Sequence, residues 1–152
     1  MNMNPYLFYC IIIWGGATQL ALYRLNVLQK RAVRLIAHST YCSHTSLLFK
    51  RFGILKLCDV YKLQIYLFMF KYKYGMLPVS CQKFINGKSI TSHYDFRKEY
   101  EFLVAKFHSE IRRKGIAVIG PDMWNSLQDS MRHLSSISVF KSRMVSACIE
   151  KY

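Results

Sequence analysis

Apolar positions recur along most of this chain with the period of a helix rather than of a strand. At about 100° per residue, Ala21, Leu22, Leu25, Leu28, Ala32, Val33, Leu35 and Ile36 share one broad face of a helix predicted over 18–38. Arg24, Lys30, Arg31, Arg34 and His38 fall on the other face, and Thr18 is placed to cap the start. A polar stretch over 39–46 predicts a loop. Residues 47–52 predict a short helix closed by Gly53. Asp59 then reads as the N-cap of a second long helix over 60–74, with Gly75 at its C′ position and Pro78 blocking continuation. Val60, Tyr61, Leu63, Ile65, Tyr66, Leu67, Phe68, Met69 and Phe70 make this helix apolar nearly all round, which predicts burial on every side.

The second half reads less regularly. Gly87, Ser89, Thr91, Ser92 and His93 predict an exposed connector. Two short apolar runs, 99–107 and 115–119, flank Arg112, Arg113 and Lys114 and suggest a small β-hairpin. Pro121 suits the first position of a short helix through Met123, Trp124 and Leu127. A last helix is predicted from about Ser138, with Phe140, Met144, Ala147 and Cys148 on one face and Ser136 or Ser138 as its cap. The expected fold is therefore mainly α: a small helical bundle with a short β-hairpin in the second half. The expected organisation is a helical, basic core region over 1–80, an exposed connector over 81–98 and a hairpin-plus-helix region over 99–152, forming one domain with an appendage.

Charge changes the picture from fold to partner. The 22 Lys and Arg face 8 Asp and Glu, a formal net charge of +14 over 152 residues. No acid precedes Asp59, while Arg24, Lys30, Arg31, Arg34, Lys50, Arg51 and Lys56 all do. A field of one sign attracts polyanions, of which phosphate backbones are the commonest. A solvated basic surface and contact with an acidic membrane are the other readings of such charge. The cationic face of the first long helix would repel itself unless an anion or an acidic partner covered it, and Arg24, Lys30, Arg31 and Arg34 are the candidate phosphate contacts.

The five cysteines, an odd number without a C-x-x-C pair, point to buried thiols in a reducing compartment, cytoplasmic or nuclear. The apolar run over 6–14 is too short to span a bilayer, which takes about 20 residues, and no basic residue precedes it as a signal peptide requires. It reads as core sequence beginning almost at once, as in a cut through a larger protein.

Candidate catalytic chemistry is sparse. Two-metal polymerase chemistry needs carboxylates close together. The acids are Asp59, Asp95, Glu99, Glu101, Glu110, Asp122, Asp129 and Glu150, with no adjacent pair, and Arg97 and Lys98 interleave the tightest group. His38, Cys42 and His44 match no standard zinc spacing, and Gly15-Gly16 lacks the Lys and Ser or Thr of a phosphate loop. No metal, cofactor or small-molecule substrate is expected. What remains is cations interleaved with aromatics, as in Tyr72-Lys73-Tyr74 and Arg51-Phe52; stacking on bases and filling a core are the two readings of such rings.

An ordered series of short motifs carries a resemblance. It runs Tyr9-Cys-Ile-Ile-Ile-Trp-Gly15, Leu25-Asn-Val-Leu-Gln-Lys-Arg-Ala-Val-Arg-Leu-Ile36, His44-Thr-Ser-Leu-Leu-Phe49 and Ile54-Leu-Lys-Leu57. Asp59-Val-Tyr-Lys-Leu-Gln64, Met76-Leu-Pro78, Gly120-Pro-Asp-Met-Trp-Asn-Ser-Leu127 and Ser138-Val-Phe-Lys141 follow. The series resembles the region after the polymerase in jockey-like and related non-LTR (LINE) retrotransposon reverse transcriptases. Tyr94-Asp-Phe-Arg97 departs from the Asn-Thr-Arg flavour usual there. The resemblance implies a polyprotein with an endonuclease and an RNA-directed DNA polymerase, of which this chain would be a non-catalytic C-terminal piece. Its Tyr-x-Asp-Asp type motif, fingers and palm have no counterpart here. Element RNA, target DNA and the rest of the polyprotein are then the expected partners, without a membrane. A packing module of the polymerase thumb and a decayed, non-functional copy are the alternatives.

Overall fold

A left-handed residue cuts the first apolar run in two. Cys10 sits at φ 50° between α1 (Pro5–Phe8) and α2 (Ile11–Trp14). The computed structural model describes residues 5–82, 85, 102–104, 106 and 108–152. Most of the 81–98 connector, including Tyr94 to Arg97, lies outside the described residues. The helices that follow are α3 (Gln19–Ile36), α4 (Thr45–Phe52), α5 (Leu57–Lys73), α6 (Val79–Gln82), α7 (Glu110–Arg113), α8 (Ile116–Asn125), α9 (Asp129–Arg132) and α10 (Ile137–Glu150). No strand occurs among the described residues, and the fold is mainly α as expected.

Backbone contacts divide the chain into two compact units, Met1–Gln64 with Lys141–Tyr152, and Ile65–Phe140. In unit one, Ile11, Leu57 and Val60 form one buried cluster, joined by Leu7, Trp14, Leu22, Leu25, Leu55 and Tyr61. Val33, Phe49 and Ile54 form another, with Leu48, Phe52 and Tyr152 packed on it. Gly15 permits the close approach of the Tyr61 ring, with which a Cβ there would collide.

Helix ends in this unit follow local chemistry. The Thr18 hydroxyl accepts from Ala21 N–H at 3.4 Å and caps α3. Gly53 (φ 62°) closes α4 with Ile54 N–H donating to Phe49 C=O. His38 closes α3 in the same way, Ser39 N–H donating to Arg34 C=O, yet it adopts φ 47° with a side chain present.

The start of α5 is held by tertiary partners. Gln29, buried on α3, accepts from Leu57 N–H at 3.0 Å and donates to Leu55 C=O at 2.8 Å. The Tyr152 hydroxyl accepts from Lys56 N–H at 2.9 Å and donates to Asp59 at 2.5 Å. These bonds explain why α5 begins at Leu57 rather than after Asp59, which instead lies in its first turn.

Unit two is built on aromatic rings. Phe70, Trp124 and Phe140 are fully buried, with centroids 5.0 Å apart for Phe70–Phe140 and 5.8 Å for Trp124–Phe140, in the range of favourable ring pairs. Phe102 joins them 6.2 Å from Trp124. The Asn125 amide holds the Phe102 backbone both ways, accepting from its N–H at 3.2 Å and donating to its C=O at 2.7 Å. Gly75 (φ 65°) ends α5, with Met76 N–H donating to Lys71 C=O.

The expected hairpin is corrected here. Its second arm is the start of α8, and the described part of its first arm, 102–104 and 106, is not strand. Val118, Pro121 and Trp124 recur at helical spacing and are buried together. Pro121 accordingly lies inside the helix instead of opening it. Its ring forfeits a bond to the Ala117 carbonyl, but the residue before it is Gly120, which has no Cβ to clash with the ring. Gly120 also lets the helix approach Met69, whose Sδ would be 2.7 Å from an added Cβ.

Two consequences for stability follow in unit one. Burial first, then donation to Asp59, raises the Tyr152 phenol above its ordinary value. The fold holds the protonated form, so its contribution is complete below about pH 10 and is lost as pH climbs through the raised value. Tyr152→Phe is expected to lower stability by about 2 kcal/mol in urea unfolding near neutral pH, with the difference from wild type shrinking above about pH 10. His38→Gly should raise stability by about 1 kcal/mol by relieving left-handed strain, read as a higher thermal midpoint.

A candidate nucleic-acid interface on α3

The roll of α3 about its axis decides what this helix shows to solvent. Gln29 and Val33 are buried, and Leu22, Leu25 and Asn26 beside them are half-buried. This packed face is rotated from the one the apolar pattern predicts. Ala21, Leu28, Ala32, Leu35 and Ile36 are exposed, Leu35 to 76%. The physical reason is Gln29: its amide bonds to the backbone at the start of α5 draw a polar residue to the centre of the packed face.

Opposite that face lie the four predicted cations, within an arc of about 120° at 100° per residue. Arg24, Lys30 and Arg31 are exposed. Arg34 is half-buried, donating from Nε to Ser43 C=O at 3.2 Å. The structure thus brings all four onto one side of one helix. Lys30 with Arg34 and Arg31 with Arg34 are like-charge pairs at i,i+4 and i,i+3, each costing about 0.2–0.5 kcal/mol in a helix. No acid occurs before Asp59 to offset them. Ion pairs form instead in unit two, Arg113 with Glu110 and Arg132 with Asp129. On α4, which follows α3 in the same unit, Lys50 and Arg51 add exposed charge.

Aromatics share this surface at places other than those first suggested by the sequence. Tyr72 donates to Ile85 C=O at 3.2 Å and its ring packs 5.6 Å from Phe102. Lys73 donates to Arg132 C=O at 2.8 Å and lies 5.7 Å from the Trp124 ring. Tyr74 donates to Leu134 C=O at 2.7 Å and packs on Phe70. Tyr72 and Lys73 are half-buried and Tyr74 is exposed, but all three are engaged within unit two. Phe52 packs on the Val33 cluster. The rings set among the α3 cations are Tyr23 and Tyr41, exposed to 64% and 72%. The Arg34 guanidinium lies over Tyr41, 5.6 Å from its centroid. Tyr23 was legible in the sequence, since it precedes Lys30 and Arg34 by 7 and 11 positions. Tyr41 was not, because its place depends on the fold of the loop after α3.

Other reactive groups do not gather. His38, Cys42 and His44 are exposed, and among the described residues no three His, Cys, Asp or Glu come together as a metal site needs. The expectation of mostly buried thiols is corrected: Cys10, Cys42 and Cys58 are exposed, Cys81 and Cys148 half-buried, and none is in a disulfide. Cys10 and Cys42 lie in turns between helices, and Cys58 lies on an outward face of α5. Desolvation first, then the Asp59 carboxylate, pushes the Cys58 and Cys148 thiols above their ordinary value, the opposite of what activates a nucleophile.

Among the described residues no helix is long and apolar enough to cross a membrane. No protein-family model, curated protein or solved structure matches this chain.

Proposed function

We propose that this chain is a non-catalytic, nucleic-acid-contacting accessory module whose α3 face binds phosphate backbone through Arg24, Lys30, Arg31 and Arg34. The observation that carries the reading is an exposed cationic arc on one helix, in a stretch of sequence without a single acid before Asp59. Such a face costs helix stability by self-repulsion and gains most when a polyanion replaces its counterions. The ordered motifs that resemble the post-polymerase region of non-LTR retrotransposon reverse transcriptases support the same reading. They make element RNA or target DNA the partner and the rest of that polyprotein the setting.

A second reading has its own observation. Leu28, Ala32 and Leu35 form an exposed apolar strip beside the cationic arc, which suits packing against the body of the polymerase without nucleic acid.

Substituting all four cations with Gln separates the two. Each phosphate contact contributes about 0.7–0.9 to the slope of log affinity against log salt. The fourfold variant is expected to flatten that slope by about 3 in filter or anisotropy titrations with RNA and DNA. An unchanged slope would exclude these residues as phosphate contacts, and wild-type protein that binds neither RNA nor DNA would leave the packing reading.

A further inference from the structure

Isolated exposed tyrosines are ordinary on protein surfaces. Tyr23 and Tyr41 are different because they bracket cations on one continuous surface. Tyr23, Lys30 and Arg34 lie at i, i+7 and i+11 of α3 and therefore in one row along the helix. Tyr41 stands at the far end of that row, under the Arg34 guanidinium.

The loop that carries Tyr41 is pinned. Ser43 N–H donates to Thr40 C=O at 3.1 Å, and the Thr40 and Ser43 hydroxyls share a bond at 2.9 Å. Arg34 is tied to the same loop through Ser43 C=O. Ring and guanidinium are thus set in place before any ligand arrives, which lowers the ordering cost of binding. The guanidinium covers one face of the Tyr41 ring, while most of the side chain stays open to solvent.

A duplex offers this row phosphates but keeps its base faces stacked inside, so it would leave both rings uncovered. A single strand offers phosphates and unstacked bases together, and aromatic rings beside a basic track are how sequence-tolerant single-strand binders hold it. The row from Tyr23 to Arg34 is about 16 Å long, the length of about five stacked nucleotides. We infer that this face takes single-stranded rather than duplex nucleic acid, with bases on the Tyr23 and Tyr41 rings and phosphates on Lys30 and Arg34. The inference rests on the nucleic-acid reading above and names the ligand form that the same site selects.

The test uses the full chain and fluorescence anisotropy. The probes are single-stranded oligo-dT and oligo-U of about 12 nucleotides, and a duplex of equal length at the same salt, a size within that of known single-strand sites. Wild type should bind the single strands at least about 10-fold tighter than the duplex. Tyr23→Ala with Tyr41→Ala should weaken single-strand binding by about 30-fold, given the worth of a base–ring stack, and leave duplex binding unchanged. Tyr23→Phe with Tyr41→Phe, which keeps both rings, should restore wild-type affinity and guards against a folding defect. Equal affinity for both forms, or an alanine pair that binds single strands as wild type does, overturns the inference while the phosphate-contact reading stands. Binding of neither form overturns both.

Discussion

One buried amide organises unit one. Gln29 meets the backbone just before and at the start of α5 with both ends of its side chain, one accepting from Leu57 and one donating to Leu55. A buried amide must find such partners or cost its full desolvation, so this contact fixes the roll of α3 against the start of α5. Everything α3 displays follows from that roll. Leu22, Leu25 and Val33 turn inward, Arg24, Lys30 and Arg31 turn outward, and Leu28 and Leu35 are left uncovered. Tyr152 reinforces the same junction from a distant part of the sequence, its ring under the Lys56 ammonium at 4.0 Å and its hydroxyl between Lys56 N–H and Asp59.

Unit two uses different chemistry for a similar end. Its core is a set of rings around Trp124, and the backbone at Phe102 is clamped by Asn125. The residues of the Gly120-to-Leu127 motif have structural employment there. Gly120 admits Met69, Pro121 and Trp124 are buried, and Asn125 satisfies a backbone that would otherwise be exposed to unpaired burial. The conspicuous residues of this motif therefore explain packing, while the features that suggest a partner lie on α3 of unit one.

Helix ends were the most legible part of the fold. Thr18, Gly53 and Gly75 act locally, through bonds to residues three to five positions away, and each does what its identity predicts. The errors fall where distant residues intervene. Residues 115–119 read as a strand because a short apolar run does not carry enough turns to show its period. Pro121 read as the start of a helix because the buried surroundings that hold it inside α8 are not visible in a pattern of apolar letters. α5 starts before Asp59 because its first donors are met by Gln29 and Tyr152, 28 and 96 positions away from Leu57 and Lys56.

The candidate interface divides along the same line. The identities of Arg24, Lys30, Arg31 and Arg34, their helical spacing and the lack of acids before Asp59 are properties of the sequence alone, because charge and helical period need no neighbours to be read. Which side of α3 faces out, that Tyr41 joins the cations, and that Tyr72, Lys73 and Tyr74 are engaged within unit two were decided only by tertiary structure. Burial and side-chain hydrogen bonds depend on what packs against a helix, and a buried glutamine can outweigh an apolar stripe when it alone satisfies two backbone groups.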